Sequence, residues 1–164
     1  MALGNQIVLT VDPRGRYIEY VVSGALLPGT IVQVKAATAR DAGNRLTAEA
    51  YNKSGSGKPG LIGVLDYNKQ FGKGPTDAYT SGERGLVYFP LPGDELNCII
   101  GDVSGTGATS DFSIGDSLMV QDGTGYLIDA LTGTAAALSA PFELQEAIVD
   151  LAANALYHVM FTGY

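Results

Sequence analysis

Leu118-Met119-Val120-Gln121-Asp122-Gly123-Thr124-Gly125-Tyr126-Leu127-Ile128 reads as two short apolar runs separated by an Asp-Gly pair. Asp-Gly supplies the positive φ that a tight primed turn requires, so the stretch predicts a β-hairpin. Similar runs recur outward along the chain. Ile7-Val8-Leu9-Thr10-Val11 and Tyr17-Ile18-Glu19-Tyr20-Val21-Val22 flank a Pro13-Arg14-Gly15 turn. Thr30-Ile31-Val32-Gln33-Val34-Lys35, Leu61-Ile62-Gly63-Val64-Leu65, Leu86-Val87-Tyr88-Phe89 and Asn97-Cys98-Ile99-Ile100 carry strand formers. Turn signals separate them at Pro28-Gly29, Ala42-Gly43-Asn44, residues 54–60, residues 72–75, Pro92-Gly93-Asp94, residues 101–107 and Gly133. Short strands between frequent turns predict an all-β fold, a compact β-sandwich or barrel.

The C-terminal stretch is ambiguous. Leu144, Ile148, Leu151 and Ala155 fall at helical spacing, whereas Phe142, Leu144, Glu146 and Ile148 mark one face of a strand. Pro141 suits the first turn of a helix, so at most one short helix is expected, near 143–155. Leu156-Tyr157-His158-Val159-Met160-Phe161 reads as a closing strand, with His158 and Met160 opposite Tyr157, Val159 and Phe161. Gly29-Thr30-Ile31-Val32-Gln33-Val34 and Gly115-Asp116-Ser117-Leu118-Met119-Val120 share a Gly-polar-x-apolar-x-Val outline. The pattern is loose and is read as a turn glycine feeding a strand, with no convincing internal repeat.

Composition bounds the function. The chain has 164 residues, 46% hydrophobic and 16% charged, with 22 glycines. That length suits one domain with an ordered core. The net charge of −7 argues against nucleic-acid binding, which needs clustered Lys and Arg. One Cys and one His exclude zinc fingers, Fe–S clusters and an internal disulfide. Residues 1–8 lack a basic region and a long apolar run, so no secretory signal is expected there. No run approaches the ~18 apolar residues that span a bilayer. Cys98 reads as a small buried hydrophobe. The sequon Asn52-Lys53-Ser54 carries little meaning without secretion.

Chemical motifs are weak. Gly55-Ser56-Gly57-Lys58-Pro59-Gly60 matches G-x-G-x-x-G but leads into a strand-like run, not the helix whose amides would face a pyrophosphate. Pro59 stands where a phosphate-binding loop needs Ser or Thr. Ser-His-Asp catalysis would rest on His158, which reads better as a solvent-facing or interface residue. Asp94-Glu95 and Glu143/Glu146 are candidate carboxylate pairs for glycoside cleavage, but spacing in sequence does not set their separation. Asp102, Asp111, Asp116 and Asp122 lie by glycine-rich loops without the spacing of a calcium loop. No catalytic residue, cofactor or metal is therefore expected. Tyr67, Tyr79 and Tyr88 flank the glycine-rich middle and are candidates for a protein–protein surface, where tyrosine is enriched.

Five segments in order carry a resemblance. They are Leu27-Pro28-Gly29-Thr30-Ile31-Val32-Gln33-Val34-Lys35, Gly60-Leu61-Ile62-Gly63-Val64-Leu65, Ser81-Gly82-Glu83-Arg84-Gly85-Leu86-Val87-Tyr88, Ile114-Gly115-Asp116-Ser117-Leu118-Met119-Val120 with Asp122-Gly123, and the pair Phe142-Glu143-Leu144-Gln145-Glu146-Ala147 and Leu156-Tyr157-His158-Val159-Met160-Phe161. Their order over residues 27–161 resembles the capsid decoration, or cement, proteins of tailed bacteriophages. The chain departs from that pattern at residues 150–154, where its closing turn is more helix-friendly. The resemblance implies a β-tulip or β-sandwich domain and reads 143–155 as strands. It implies a non-enzymatic virion protein, made in the host cytoplasm and bound to the outside of the mature head. Its partners would be the major capsid protein and itself, as a homotrimer at threefold axes, with no nucleic acid or membrane.

On this reading residues 1–22 form an N-terminal arm or an edge hairpin, and 23–164 form the decoration domain. Ile7, Val8, Leu9, Arg14 and Arg16 of the arm join the three tyrosines as expected capsid or subunit contacts. A head fibre, tail or baseplate protein and a carbohydrate-binding β-sandwich are the alternatives. The absence of Trp weighs against the last.

Overall fold

The computed structural model describes residues 7–9, 16–34, 45–52, 62–101, 110–130, 141–151 and 154–163. Among them the fold is all-β, with one 3-10 turn at Lys69–Phe71. The strands are β1 (Arg16–Ser23), β2 (Ile31–Val34), β3 (Thr47–Ala50), β4 (Ile62–Asp66), β5 (Arg84–Phe89), β6 (Glu95–Ile100), β7 (Ser110–Phe112), β8 (Ser117–Val120), β9 (Leu127–Asp129), β10 (Phe142–Leu144), β11 (Ile148–Leu151) and β12 (Ala155–Phe161). They close into two five-stranded barrels, β1-β3-β2-β4-β5 and β10-β12-β6-β9-β8, with β7 and β11 as a separate pair.

Period-two alternation sorts side chains between barrel interior and exterior. Tyr20, Val22, Val32, Val34, Ala48, Leu65 and Val87 fill the first barrel. Their neighbours Ile31, Val64 and Tyr88 point outward, yet they are buried in the larger cluster around Cys98, Ile100, Leu118, Leu127, Leu144 and Val159. The mixed faces of Thr30–Lys35 in sequence have this origin. Both sides of β2 are covered, one by its own barrel and one by the next, and Gln33 is accommodated by bonding Glu49 and the Asn52 carbonyl.

The two barrels share one topology and one register. In each, the first and third strands run parallel, β1 with β3 and β6 with β9. Val22 pairs with Ala48, as Ile100 pairs with Leu127. Val34 pairs with Ala48, as Val120 pairs with Leu127. Val32 pairs with Gly63, as Leu118 pairs with Phe142. Leu65 pairs with Val87, as Leu144 pairs with Val159. The turns before β2 and β8 also match bond for bond. Gly29 N–H donates to Leu65 O and Leu65 N–H to Thr30 O; Gly115 N–H donates to Leu144 O and Leu144 N–H to Asp116 O. Even the Leu26↔Tyr79 bridge has its counterpart in Phe112↔Ile148. The chain is thus a structural tandem, and the two Gly-polar-x-apolar-x-Val segments, too loose to indicate a repeat in sequence, occupy equivalent places in it.

The described part of 142–161 carries the strands Phe142–Leu144, Ile148–Leu151 and Ala155–Phe161, with no helix among the described residues. Phe142 and Leu144 are buried on either side of half-buried Glu143, which is strand alternation. Glu146, the flaw in the strand pattern, bonds its carboxylate to the His158 N–H at 2.7 Å. The 118–128 stretch is a hairpin, but not with a two-residue turn. Val120 faces Leu127, so residues 121–126 form the loop. The Asp-Gly pair is spent elsewhere, with Gly123 N–H donating to Tyr51 O on the first barrel.

Of residues 1–22, the structure describes 7–9 and 16–22. Val8 bridges to Leu96 of β6. β1 has neighbours on both sides, β3 and β5.

Candidate functional site

The expected contact residues divide by burial. Ile7 is part of the core, its carbonyl accepting the Asn97 N–H at 2.6 Å. Val8 and Leu9 are half-buried along β6, where the Leu9 N–H donates to Glu95 O. Arg14 lies outside the described residues, as does the 53–60 loop, and Arg16 opens β1, paired with Phe89 of β5. Tyr79 and Tyr88, expected on a surface, are fully buried. Each can be buried because its hydroxyl has an acceptor: Tyr79 bonds the Asp66 carbonyl at 2.9 Å, and Tyr88 bonds the Asp94 carboxylate at 2.6 Å. Burial also pushes the Tyr79 hydroxyl pKa up to about 12. Only Tyr67 of the three keeps partial exposure.

Tyr67 lines a groove of about 340 Å³ with Ile7, Tyr17, Asp66, Lys69 and Leu86. Asp66 ends β4, and its carboxylate is almost fully buried. It accepts the Tyr67 N–H at 2.7 Å. Burial raises the Asp66 carboxyl above its ordinary range, opposed by the Tyr67 N–H bond, the nearby Tyr17 hydroxyl and Lys69. Burial first, and then the Asp66 charge, push the Tyr17 hydroxyl up. The Tyr17 ring lies 5.0 Å from the Tyr88 ring and remains partly open to solvent. Lys69 sits 5.3 Å above the Tyr67 ring. A shallower depression of about 600 Å³ continues past Tyr67 along Gly72, Lys73 and Pro75. The groove offers aromatic faces, one buried acid and one ammonium, a combination suited to holding a partner. The sequence signal for it was an aspartate and tyrosine closing an apolar run.

The other candidate groups have structural partners. Asp94 accepts both the Tyr88 hydroxyl and the Leu91 N–H. Asp116 accepts the Ser113 N–H within its turn. His158 is largely covered, its Nε2 lying 3.2 Å from the Glu95 carboxylate. Cys98 is completely buried, which raises its thiol pKa. Among the described residues, no three His, Cys, Asp or Glu side chains gather as a metal site. No helix there is long and apolar enough to cross a membrane. Several large apolar side chains stand in solvent, which sequence reasoning missed; Ile114 and Val149 are the most open, at 66% and 75%.

No family model matches the chain, and no curated protein sequence matches it. Among solved structures, it is similar to the N base of head fiber gp8.5 in bacteriophage phi29. The TM-score is 0.52 at 10% sequence identity, and the match covers 90% of this chain and 93% of that one. At this identity the likeness is one of fold.

Proposed function

We propose that this chain is a structural, non-catalytic component of a tailed-phage virion, seated on the outer surface of the head and bound to the major capsid protein. The observation that carries the reading is the fold likeness to a head-fibre base, which spans nearly the whole of both chains. The order of glycine-led strand motifs, with its resemblance to decoration proteins, supports it from a separate direction. The physics of the chain suits the role. Two small closed barrels leave few free strand edges among the described residues, which favours rigidity and discourages aggregation. A net charge of −7 disfavours capture by nucleic acid.

Within this reading the chain acts as a homotrimeric cement at threefold axes, each copy clamping neighbouring capsid subunits. Three linked copies binding three equivalent sites turn modest single-site affinity into firm attachment. A second role on the same surface, as the base that mounts a fibre, is favoured by the description of the structural neighbour. Purified protein mixed with undecorated, expanded heads and imaged by cryo-electron microscopy tests both. Ordered density on the outer surface supports the proposal. Heads left bare, or density confined to the tail, overturn it. Decorated heads that better survive heating favour the cement role; unchanged survival favours the base.

A further inference from the structure

The contact between the two barrels is asymmetric, and the tandem shows how. In the first barrel the parallel seam is closed, with Val21 N–H donating to Leu46 O. Among the described residues, the equivalent seam of the second barrel pairs Ile100 with Leu127, with the Gly101 N–H donating to Leu127 O. The equivalents of Val21 and Leu46 are Ile99 and Gly125, and they do not meet. Ile99 N–H donates instead to Gly29 O at 3.0 Å, and Gly125 O accepts from Ile31 N–H at 2.8 Å. The turn that leads into β2 has entered the seam of the second barrel and taken the hydrogen bonds from both sides. We propose that the parallel seam of this barrel unit is a binding site for a glycine-led turn of the same unit, and that the second barrel's seam is filled by residues 28–31 of the first.

Residue choice follows this use. A Cβ on Gly29 would run into the Leu156 side chain and come within 3.2 Å of the Asn97 carbonyl. Gly115, its counterpart, shares the positive φ (+90° against +87°) but has open space around it. Pro28, Gly29, Thr30 and Ile31 are buried, whereas Ile114, Gly115 and Ser117 are exposed and Asp116 half-exposed. On the accepting side, a Cβ on Gly125 would strike the Ile31 carbonyl and the Thr30 methyl. Leu46 stands at the matching place in the first barrel, where nothing is inserted. The two glycines of the turn therefore separate backbone strain, which both carry, from close approach, which only Gly29 carries. This inference stands on the inter-barrel geometry and does not depend on a role in the virion.

The test compares Gly29→Ala with Gly115→Ala in the full chain by amide hydrogen exchange. Both lose φ freedom, but only Gly29→Ala should lower protection of the Ile31 and Ile99 amides, by about tenfold or more relative to β5 ladder amides. Gly115→Ala should leave those two amides within about twofold of the parent. If Gly29→Ala does not fold, Gly29→Ala/Leu156→Ala, which clears the obstructing side chain, should restore folding and protection of both amides. Equal effects from the two glycine variants overturn the proposal. So does a failure of the double variant to recover.

Discussion

Replacing Asp94 removes one acceptor shared by two donors, the Tyr88 hydroxyl at 2.6 Å and the Leu91 N–H at 2.8 Å. Asp94 is 3% exposed and Tyr88 1%, so water does not replace the bond between them without entering the core, whereas the Leu91 N–H bond is part-buried. A hydrogen bond to a carboxylate contributes about 1.5–3 kcal/mol, and the part-buried one from the Leu91 N–H stands at the lower end of that range, about 1.5 kcal/mol. Asp94→Ala is therefore expected to cost about 3–4 kcal/mol, and Tyr88→Phe about 2 kcal/mol, since the latter leaves the Leu91 bond intact. For a chain of this size the Tyr88→Phe loss lowers Tm by about 4–8 °C. The double variant decides whether the bond itself carries the effect. Once the hydroxyl is gone, losing Asp94 removes only the turn bond, so the double variant should fall short of the sum by about 2 kcal/mol. Urea unfolding followed by far-UV circular dichroism, with equal m-values in all four proteins, measures this. Additivity within about 0.5 kcal/mol would refute the coupling and remove this link between β5 and the turn into β6.

Asp66 predicts a pH dependence. Burial holds its folded pKa above the ordinary 3.8, so the folded chain keeps the proton longer than the unfolded chain. That contribution to stability is full below the unfolded value and is lost as pH rises through the folded one. Asp66→Asn should lack this fall, and parent-minus-variant stability should decline from about pH 3.5 toward neutrality; a flat difference refutes the assignment. Cys98, buried and with its thiol pKa raised, should not react with a thiol reagent in the native protein but should react on unfolding. Rapid native labelling would place it elsewhere than in the barrel core.

Much of the strand content was legible because β-branched runs met turn glycines. Thr47–Ala50 was not, since alanine and glutamate are poor strand formers; its place between β1 and β2 is set by tertiary pairing. Ser110–Phe112 was missed for a similar reason, as a three-residue strand beside a glycine-rich loop. The tandem was hidden because its two halves agree in register more than in residue type. Identities survive at Gly29/Gly115, Val34/Val120, Leu65/Leu144, Val87/Val159 and Phe89/Phe161, too scattered to align without the ladders. Tyr79 and Tyr88 were read as surface residues because a tyrosine's depth depends on where its hydroxyl finds an acceptor. Those acceptors, the Asp66 carbonyl and the Asp94 carboxylate, arrive through the fold.

Ile31, Tyr51, Val64 and Tyr88 belong by sequence to the first barrel, but by packing to the cluster that fills the second. Neither half can melt on its own without stripping the other of its lining. Heating or denaturant should therefore reveal a single all-or-none transition, with the duplicated units behaving thermodynamically as one body.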